Sequence, residues 1–280
     1  MEIKSLEKTD FESLFKAFSK AFVDYNMQLN AEELKTMLKR RGFYPALSFA
    51  AFEGENIVSF TFNGIGNFNG KEMAYDTGTG TLKEYRGQGL ATKIFNYSIP
   101  YLKGANINHY LLEVLKHNSK AFSVYQKIGF EVTRELNYFV WANNEIKNEI
   151  KNFCFVERID IENYPFVSEF WDFHPTWQNS FEAINRAKED FVSFGAFVDK
   201  KLVGYCVFEP NSGDFTQIAV DKLHRRKGIG SVLLHETSKL NKHPKTKLLN
   251  TETSCTSIVD FLKSKSIEIT GKQYEMIKRI

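Results

Sequence analysis

Cysteine and proline are scarce in this chain, with three Cys and six Pro among 280 residues. Cys154, Cys206 and Cys255 are odd in number, far apart and without a CxxC pair, which excludes a disulfide framework and leaves free thiols. The histidines have no metal spacing: His117, His224 and His235 stand alone and His243 lies in a Lys/Pro turn, so no structural zinc is expected. Long apolar runs are also missing. No segment approaches membrane-spanning length, and Met1 to Lys8 contains no apolar h-region, so a cytoplasmic protein with no membrane partner is expected. Nor does one charge sign prevail. Lys and Arg number 37 against 34 Asp and Glu, a net +3 that is too small to argue for nucleic acid but allows a basic lip around a polyanionic ligand.

What is present suits a globular protein. Hydrophobic residues make up 42% and charged residues 25%, and 280 residues are enough for two ordinary cores. The chain repeats itself. Ser48 to Phe60 and Ser193 to Tyr205 each read as a β-hairpin, two apolar strands broken by a polar turn. Further on, Arg86-Gly-Gln-Gly-Leu-Ala91 corresponds to Arg225-Arg-Lys-Gly-Ile-Gly230.

In the first half, the patterning predicts a strand at Glu2 to Leu6, helices over Asp10 to Phe22 and Ala31 to Arg41, the hairpin, and a strand at Met73 to Leu82. A helix from Gln88 to Leu102, a strand at His109 to Leu115, a helix at Ser119 to Ile128 and strands from Phe130 to Trp141 follow. The polar run 142–152 reads as a linker between a domain at 1–141 and a second at 153–280. The second half has helical segments near Tyr164 to Trp171 and Phe181 to Asp190. Its later helix carries Ile229, Val232, Leu233 and Leu240, and strands at Lys247 to Thr251 and Tyr274 to Ile280 flank a helix near Thr256 to Lys265. The class is α+β, a mixed twisted sheet flanked by helices, occurring twice.

Thr77 to Ala91 runs from a β-prone segment through a glycine-rich turn into a helix. Unpaired N–H groups at a helix start bind phosphate oxygens, and glycine keeps a Cβ from holding the phosphate away. One such motif is weak evidence, whereas two copies, each between a strand and an amphipathic helix, are stronger.

With Leu112 to Phe130 beside it, this stretch resembles the GCN5-related N-acetyltransferase (GNAT) family. The second block carries the family's spaced Asn118, Ala121, Tyr125, Gly129 and Phe130, in a version close to that of bacterial acetyltransferases that modify protein α-amino groups. The two blocks cover about Asp76 to Phe130, and together they are far more specific than either alone. The resemblance implies two tandem acyl-CoA N-acyltransferase domains, with acetyl-CoA as the donor substrate. Backbone amides of Gly87, Gln88, Gly89, Leu90 and Ala91 would hold its pyrophosphate, with Arg86 in the same cofactor-binding turn, and its pantetheine arm would lie along Thr79, Gly80, Thr81 and Leu82. Asn118 would hydrogen-bond the cofactor and Tyr125 would protonate the departing thiolate, whose unperturbed pKa is about 8.5. The plainer reading of Tyr125 is one side of a helix face, with Ala121 and Phe122, packed on the sheet. An attacking amine needs a proton acceptor, for which Glu113 leads, Asp76 follows and water is a further route.

The second half departs from the pattern. Asn250 stands where Glu113 is, Leu262 where Tyr125 is and Cys255 where Asn118 is, so the second domain is expected to be non-catalytic. The acceptor, a small-molecule or peptide amine, is not identified by any motif. The region Asn26 to Arg41 and the loop before Asp76 would wall its side of the sheet. The aromatic residues Phe166, Phe170, Trp171, Phe173 and Trp177 read as second-domain core, or as a pocket lining at the domain interface. Two other readings stand beside the enzyme: a non-enzymatic acyl-CoA-binding sensor, and an aminoacyl-tRNA-dependent transferase, against which the near-neutral charge argues. A monomer and a homodimer are both compatible with an internal repeat.

Overall fold

The computed structural model describes residues 1–24, 28–143 and 154–280. The expected helical region from Asn26 thus begins, and residues 144–152 of the expected linker lie, outside the described residues. The first half forms β1 (Glu2–Ser5), α1 (Phe11–Ala21), α2 (Ala31–Arg40), β2 (Phe49–Glu53), β3 (Asn56–Phe68), β4 (Lys71–Thr81), α3 (Leu90–Gly104), β5 (His109–Leu115), α4 (Ser119–Lys127) and β6 (Glu131–Ala142). The second forms β7 (Phe155–Arg158), α5 (Phe181–Arg186), β8 (Val192–Val198), β9 (Lys201–Glu209), β10 (Asp214–Val220), α6 (Ile229–Ser238), β11 (Lys245–Glu252), α7 (Thr256–Lys263) and β12 (Gly271–Arg279).

Local chemistry sets the helix starts. Asp10 Oδ1 accepts the Ser13 N–H at 2.8 Å and opens α1. Asn30 and Glu33 satisfy each other's backbone N–H groups in a capping box that opens α2. The expected helix near Tyr164 to Trp171 is instead a 3-10 segment, Pro165–Phe170. Its buried residues, Val167 and Phe170, are three apart, a spacing that aligns on one face at three residues per turn. Likewise α5 stops at Arg186, and a short 3-10 turn follows at Lys188–Asp190.

The chain divides into two compact units that differ from the two sequence halves. The first unit is 1–133 with 180–186 and 274–280, and the second is 134–179 with 187–273. The first unit's strands run β1-β2-β3-β4-β5-β12. One of its cores lies between α1, α2 and the aromatic face of β3, with Phe18, Leu34, Leu38, Phe60 and Phe62. Another lies under α3 and α4, with Phe95, Tyr110, Leu112, Phe130 and, from β12, the fully buried Met276. The second unit's strands run β6-β11-β10-β9-β8-β7, over a core that includes Phe139, Phe208, Phe215, Leu233 and Leu262.

The compact units divide the chain differently from a boundary at 141: most of β6 belongs with the second unit, where it pairs antiparallel with β11, and the last strand of the chain completes the first unit beside β5. The helix α5 also joins the first unit, where Arg186 Nε donates to Arg40 O at 2.9 Å.

Candidate active site

Where β4 and β5 part, the first unit gathers its chemistry. These strands are parallel and pair only as Ala74 with Tyr110 and Tyr75 with Leu111, so the later residues of β4 separate from β5. Against β3, Gly78 opposes Phe62 and Asp76 opposes Asn63, which leaves Thr77 as a one-residue bulge. Its hydroxyl donates to Phe62 O at 3.0 Å. The bulge breaks the alternation of faces and brings Asp76 and Thr79 together: Thr79 Oγ1 donates to Asp76 Oδ2 at 2.8 Å.

From α4, the Tyr125 hydroxyl donates to the same oxygen at 3.1 Å. The Tyr125 ring packs edge-on against Phe130, centroids 5.7 Å apart. Asp76 Oδ1 is buried and no donor reaches it. Burial raises the Asp76 pKa, against the lowering effect of the Thr79 and Tyr125 hydrogen bonds, the Gly78 backbone N–H and the Arg41 charge.

Glu113 keeps different company. On β5, Tyr110, Leu112 and Val114 join the core under α3 and α4, and Glu113 falls between them on the other face. Its partner is Tyr75, whose hydroxyl is driven well above its ordinary pKa by burial and then by the Glu113 charge, opposed by Arg41. Tyr125 thus meets Asp76, the second-ranked carboxylate of the sequence reading, and Glu113 meets Tyr75.

Asn118 is the N-cap of α4, its Oδ1 accepting the Ala121 N–H at 3.2 Å. Arg86 is also occupied by the protein. Its Nε donates to Thr81 O at 3.1 Å, Nη2 to Ala21 O at 2.9 Å and Nη1 to Asp24 at 3.1 Å. The guanidinium thus ties the turn to the end of α1. Gln88 leans back toward Glu84 O, at 3.5 Å. Along Thr79 to Leu82 the side chains turn into the protein, Thr81 to Ser59 at 2.7 Å and Leu82 into the core, while a Cβ on Gly80 would strike Phe60.

The turn itself is open. Gly89 is the N-cap of α3 in the left-handed region, φ 72°, and no side chain caps this helix, unlike α1, α2 and α4. A Cβ on Gly87 or Gly89 would meet nothing within 4 Å. The first-turn N–H groups, those of Leu90 and Ala91 included, therefore face a space that a phosphate can take. The cleft between β4 and α4 is nearly closed, a void of about 10 Å³ bordered by Asp76, Thr79, Ala91 and Tyr125. That volume suits about one water.

The second unit repeats this geometry with other side chains. Arg225 donates to Val220 O at 3.0 Å, Phe170 O at 2.9 Å and Asp172 at 2.8 Å, two carbonyls and an aspartate like the acceptors of Arg86. Gly228 caps α6 at φ 84°, again without a side-chain cap. The bulge recurs at Thr216, since Phe215 opposes Phe208 and Gln217 opposes Val207. Phe215 thus stands where Asp76 stands, a correspondence that aligning the two turns without a gap brings out. Cys255 is the N-cap of α7, Leu262 is fully buried, and Asn250 Nδ2 donates to Thr176 Oγ1 at 2.8 Å.

Here the strands enclose a cavity of about 580 Å³, with Trp171, Phe173, Ile218, Arg226, Cys255 and Phe261 among its lining. The aromatic group of the sequence reading splits: Trp177 is buried core, Phe166 is exposed, and Phe170, Trp171 and Phe173 border this cavity. All three cysteines are free, and no metal-ligand cluster occurs among the described residues. No helix there is long and apolar enough to cross a membrane.

The fold and its two strand-turn-helix sites define an acyltransferase architecture in tandem. The acetyltransferase (GNAT) family model matches residues 10–130 and again 155–250, and the chain belongs to that family. Over 88 residues it is 30% identical to N-alpha-acetyltransferase 30 of Schizosaccharomyces pombe, a stretch covering 31% of this chain and 59% of that protein. Over 69 residues it is 36% identical to the spermidine N(1)-acetyltransferase of Escherichia coli, covering 24% of this chain and 37% of that one. The chain thus spans 59% and 37% of the lengths of these two relatives. A tandem GNAT protein from the clavulanic acid biosynthesis pathway matches in structure with a TM-score of 0.74 at 10% identity, over 99% of this chain and 98% of that one. A GCN5-related N-acetyltransferase from Sphaerobacter thermophilus matches equally, TM-score 0.74 at 12% identity, over 99% and 95%.

Proposed function

We propose that the first unit transfers acetyl from acetyl-CoA to a primary amine by direct attack within a ternary complex, and that the second unit carries no chemistry of its own. The observation that carries this reading is the Tyr125 hydroxyl, held 3.1 Å from Asp76 on the α4 side of the parting strands. A phenol there would protonate a departing thiolate, and Asp76, the carboxylate it meets, would receive the proton an amine gives up, while Glu113 stands apart with Tyr75. The uncapped start of α3, with Gly87 and Gly89 open to solvent, suits the pyrophosphate of the donor. The relatives' names, an N-alpha-acetyltransferase and a spermidine acetyltransferase, favour amine acceptors.

The test is thiol release from acetyl-CoA across α-amino peptides, polyamines, aminoglycosides and simple amines. At least one amine is expected to be turned over, and Tyr125→Phe should cut that rate about 100-fold or more. Full activity in Tyr125→Phe would remove Tyr125 from the mechanism.

The second unit favours a second reading for itself. Its cavity of about 580 Å³ lies beside the exposed Arg226 and Lys227, and Phe215 and Leu262 replace the Asp76–Tyr125 pair. Such a site holds an acyl-CoA without turning it over. Tight CoA binding with no turnover on any amine would extend this sensor reading to the whole chain.

A further inference from the structure

We infer that the second unit binds an acyl-CoA whose acyl chain is longer than acetyl, with the chain lying between β10 and β11 and against Trp171 and Phe173. This rests on the acyl-CoA-holding reading of that unit and names the ligand it takes. The two units differ most where their strands part. In the first, the cleft between β4 and α4 holds about 10 Å³, because Tyr125 meets Asp76 across it. In the second, β10 and β11 pair only as Asp214 with Lys247, and the opening grows to about 580 Å³. That volume lies within the range of small-molecule sites, about 300–1,000 Å³.

The cavity extends past the stretch a pantetheine arm would follow. Aligning the two turns without a gap sets Ile218 to Val220 of β10 against Thr79 to Thr81, and the lining continues beyond them to Thr216, Gln217 and Tyr205. It also reaches both faces of the sheet. Ile218, Ile229 and Phe261 belong with the core under α6 and α7, whereas Gln217 and Tyr205 alternate with the core residues Ile218 and Cys206 and turn to the other face. There Phe170, Trp171 and Phe173 supply an aromatic wall, which suits a hydrocarbon chain.

That wall is tied down at both ends, which keeps the space from closing as an unsupported void would. Trp171 Nε1 donates to the Tyr205 hydroxyl at 2.5 Å, and that hydroxyl donates to Gln217 Oε1 at 2.6 Å. Gln217 Nε2 donates to Asn179 O at 2.7 Å, and Asn179 Nδ2 to Leu249 O at 2.9 Å, so the wall is fastened to β9, β10 and β11 together. At its other end, Asp172 accepts from Arg225 and, at 2.6 Å, from Ser257 Oγ of α7. The mouth of the cavity suits the CoA end. Arg226 and Lys227 are exposed where the first unit has Gly87 and Gln88, which adds two positive charges beside the uncapped start of α6.

The experiment is a binding titration of the whole chain. All three tryptophans, Trp141, Trp171 and Trp177, lie in the second unit, so indole fluorescence reports on that unit and not on the first. Emission is followed as CoA, acetyl-CoA, butyryl-CoA, hexanoyl-CoA or hexanoate is added, with no amine present. Each buried methylene is worth about fourfold in affinity. Hexanoyl-CoA should therefore bind about 100-fold tighter than acetyl-CoA, with butyryl-CoA between them. Phe173→Ala, at a partly exposed position, should keep the fold by thermal melting and reduce that ratio about tenfold.

Equal affinities for acetyl-CoA and hexanoyl-CoA would overturn the inference and leave the acyl-CoA-holding reading intact. A single CoA site per chain by calorimetry, with the fluorescence unchanged, would overturn both. Hexanoate binding as tightly as hexanoyl-CoA would assign the cavity to a free fatty acid and overturn the inference as well. A gain with chain length that persists undiminished in Phe173→Ala would place the chain away from this wall, with the same result.

Discussion

A carboxylate buried with one oxygen beyond the reach of any donor, as in Asp76, costs the fold stability when charged. Its folded pKa is raised above the ordinary 3.8. Between that value and the folded pKa, the native state holds a proton the unfolded chain has released, so stability falls as pH rises through the window and stays lower above it. Asp76→Asn keeps an acceptor for Thr79 and Tyr125 and replaces the partnerless oxygen with an uncharged amide. Thermal melts should therefore show the variant melting above the wild type at pH 7, with the difference closing below pH 3.8. A lower melting point at pH 7 would mean that the charge is compensated in the native state. The resemblance to the GNAT family singled out Tyr125 and Asn118 within the Asn118 to Phe130 block. It did not expose the Asp76–Tyr125 contact, because that depends on the bulge at Thr77. A period of two along β4 puts Asp76 and Thr79 on opposite faces.

At the scale of elements, the turn between β4 and α3 has two separable parts, a clamp and an opening. Arg86 is the clamp: its guanidinium reaches Thr81 O, Ala21 O and Asp24 at once. Arg86→Lys presents a point charge in place of a planar fork and should restore little of what Arg86→Ala loses, a destabilisation of roughly 1–3 kcal/mol by thermal or denaturant unfolding. Gly89 is the opening. At φ 72° a Cβ strains the backbone by roughly 1–2 kcal/mol, yet meets no protein atom within 4 Å. Gly89→Ala should thus lower stability modestly and weaken CoA binding, read by calorimetric titration. Undiminished CoA affinity would remove the turn from the binding site. The glycine turn was visible as sequence, but the clamp made by the Arg86 guanidinium was not. Its carbonyl acceptors are 5 and 65 residues away along the chain, and the latter distance is beyond what local pattern resolves.

For the whole molecule, the repeat was legible from its hairpins and turns, yet its compact units were not, since a β-strand carries no mark of the sheet it joins. β12 contributes apolar residues to the first unit's core: Met276 is fully buried among Phe95, Tyr110 and Phe130, and the Tyr274 ring lies tilted against Phe122 of α4, centroids 5.1 Å apart. The helix that carries Tyr125 therefore leans, through Phe122, on Tyr274, far along the chain in its last strand. Residues 1–141 expressed alone would leave β5 as a bare edge and α4 without that support. A chain ending at Gln273 should lose amide-exchange protection in α4 and β5, and with it acetyl transfer. Met276→Ala, which keeps the strand and leaves a hole, should cost about 2–5 kcal/mol. Full protection of α4 and β5 in the shortened chain would show that the first unit closes its sheet without its last strand, and that the division at 141 describes a folding unit after all.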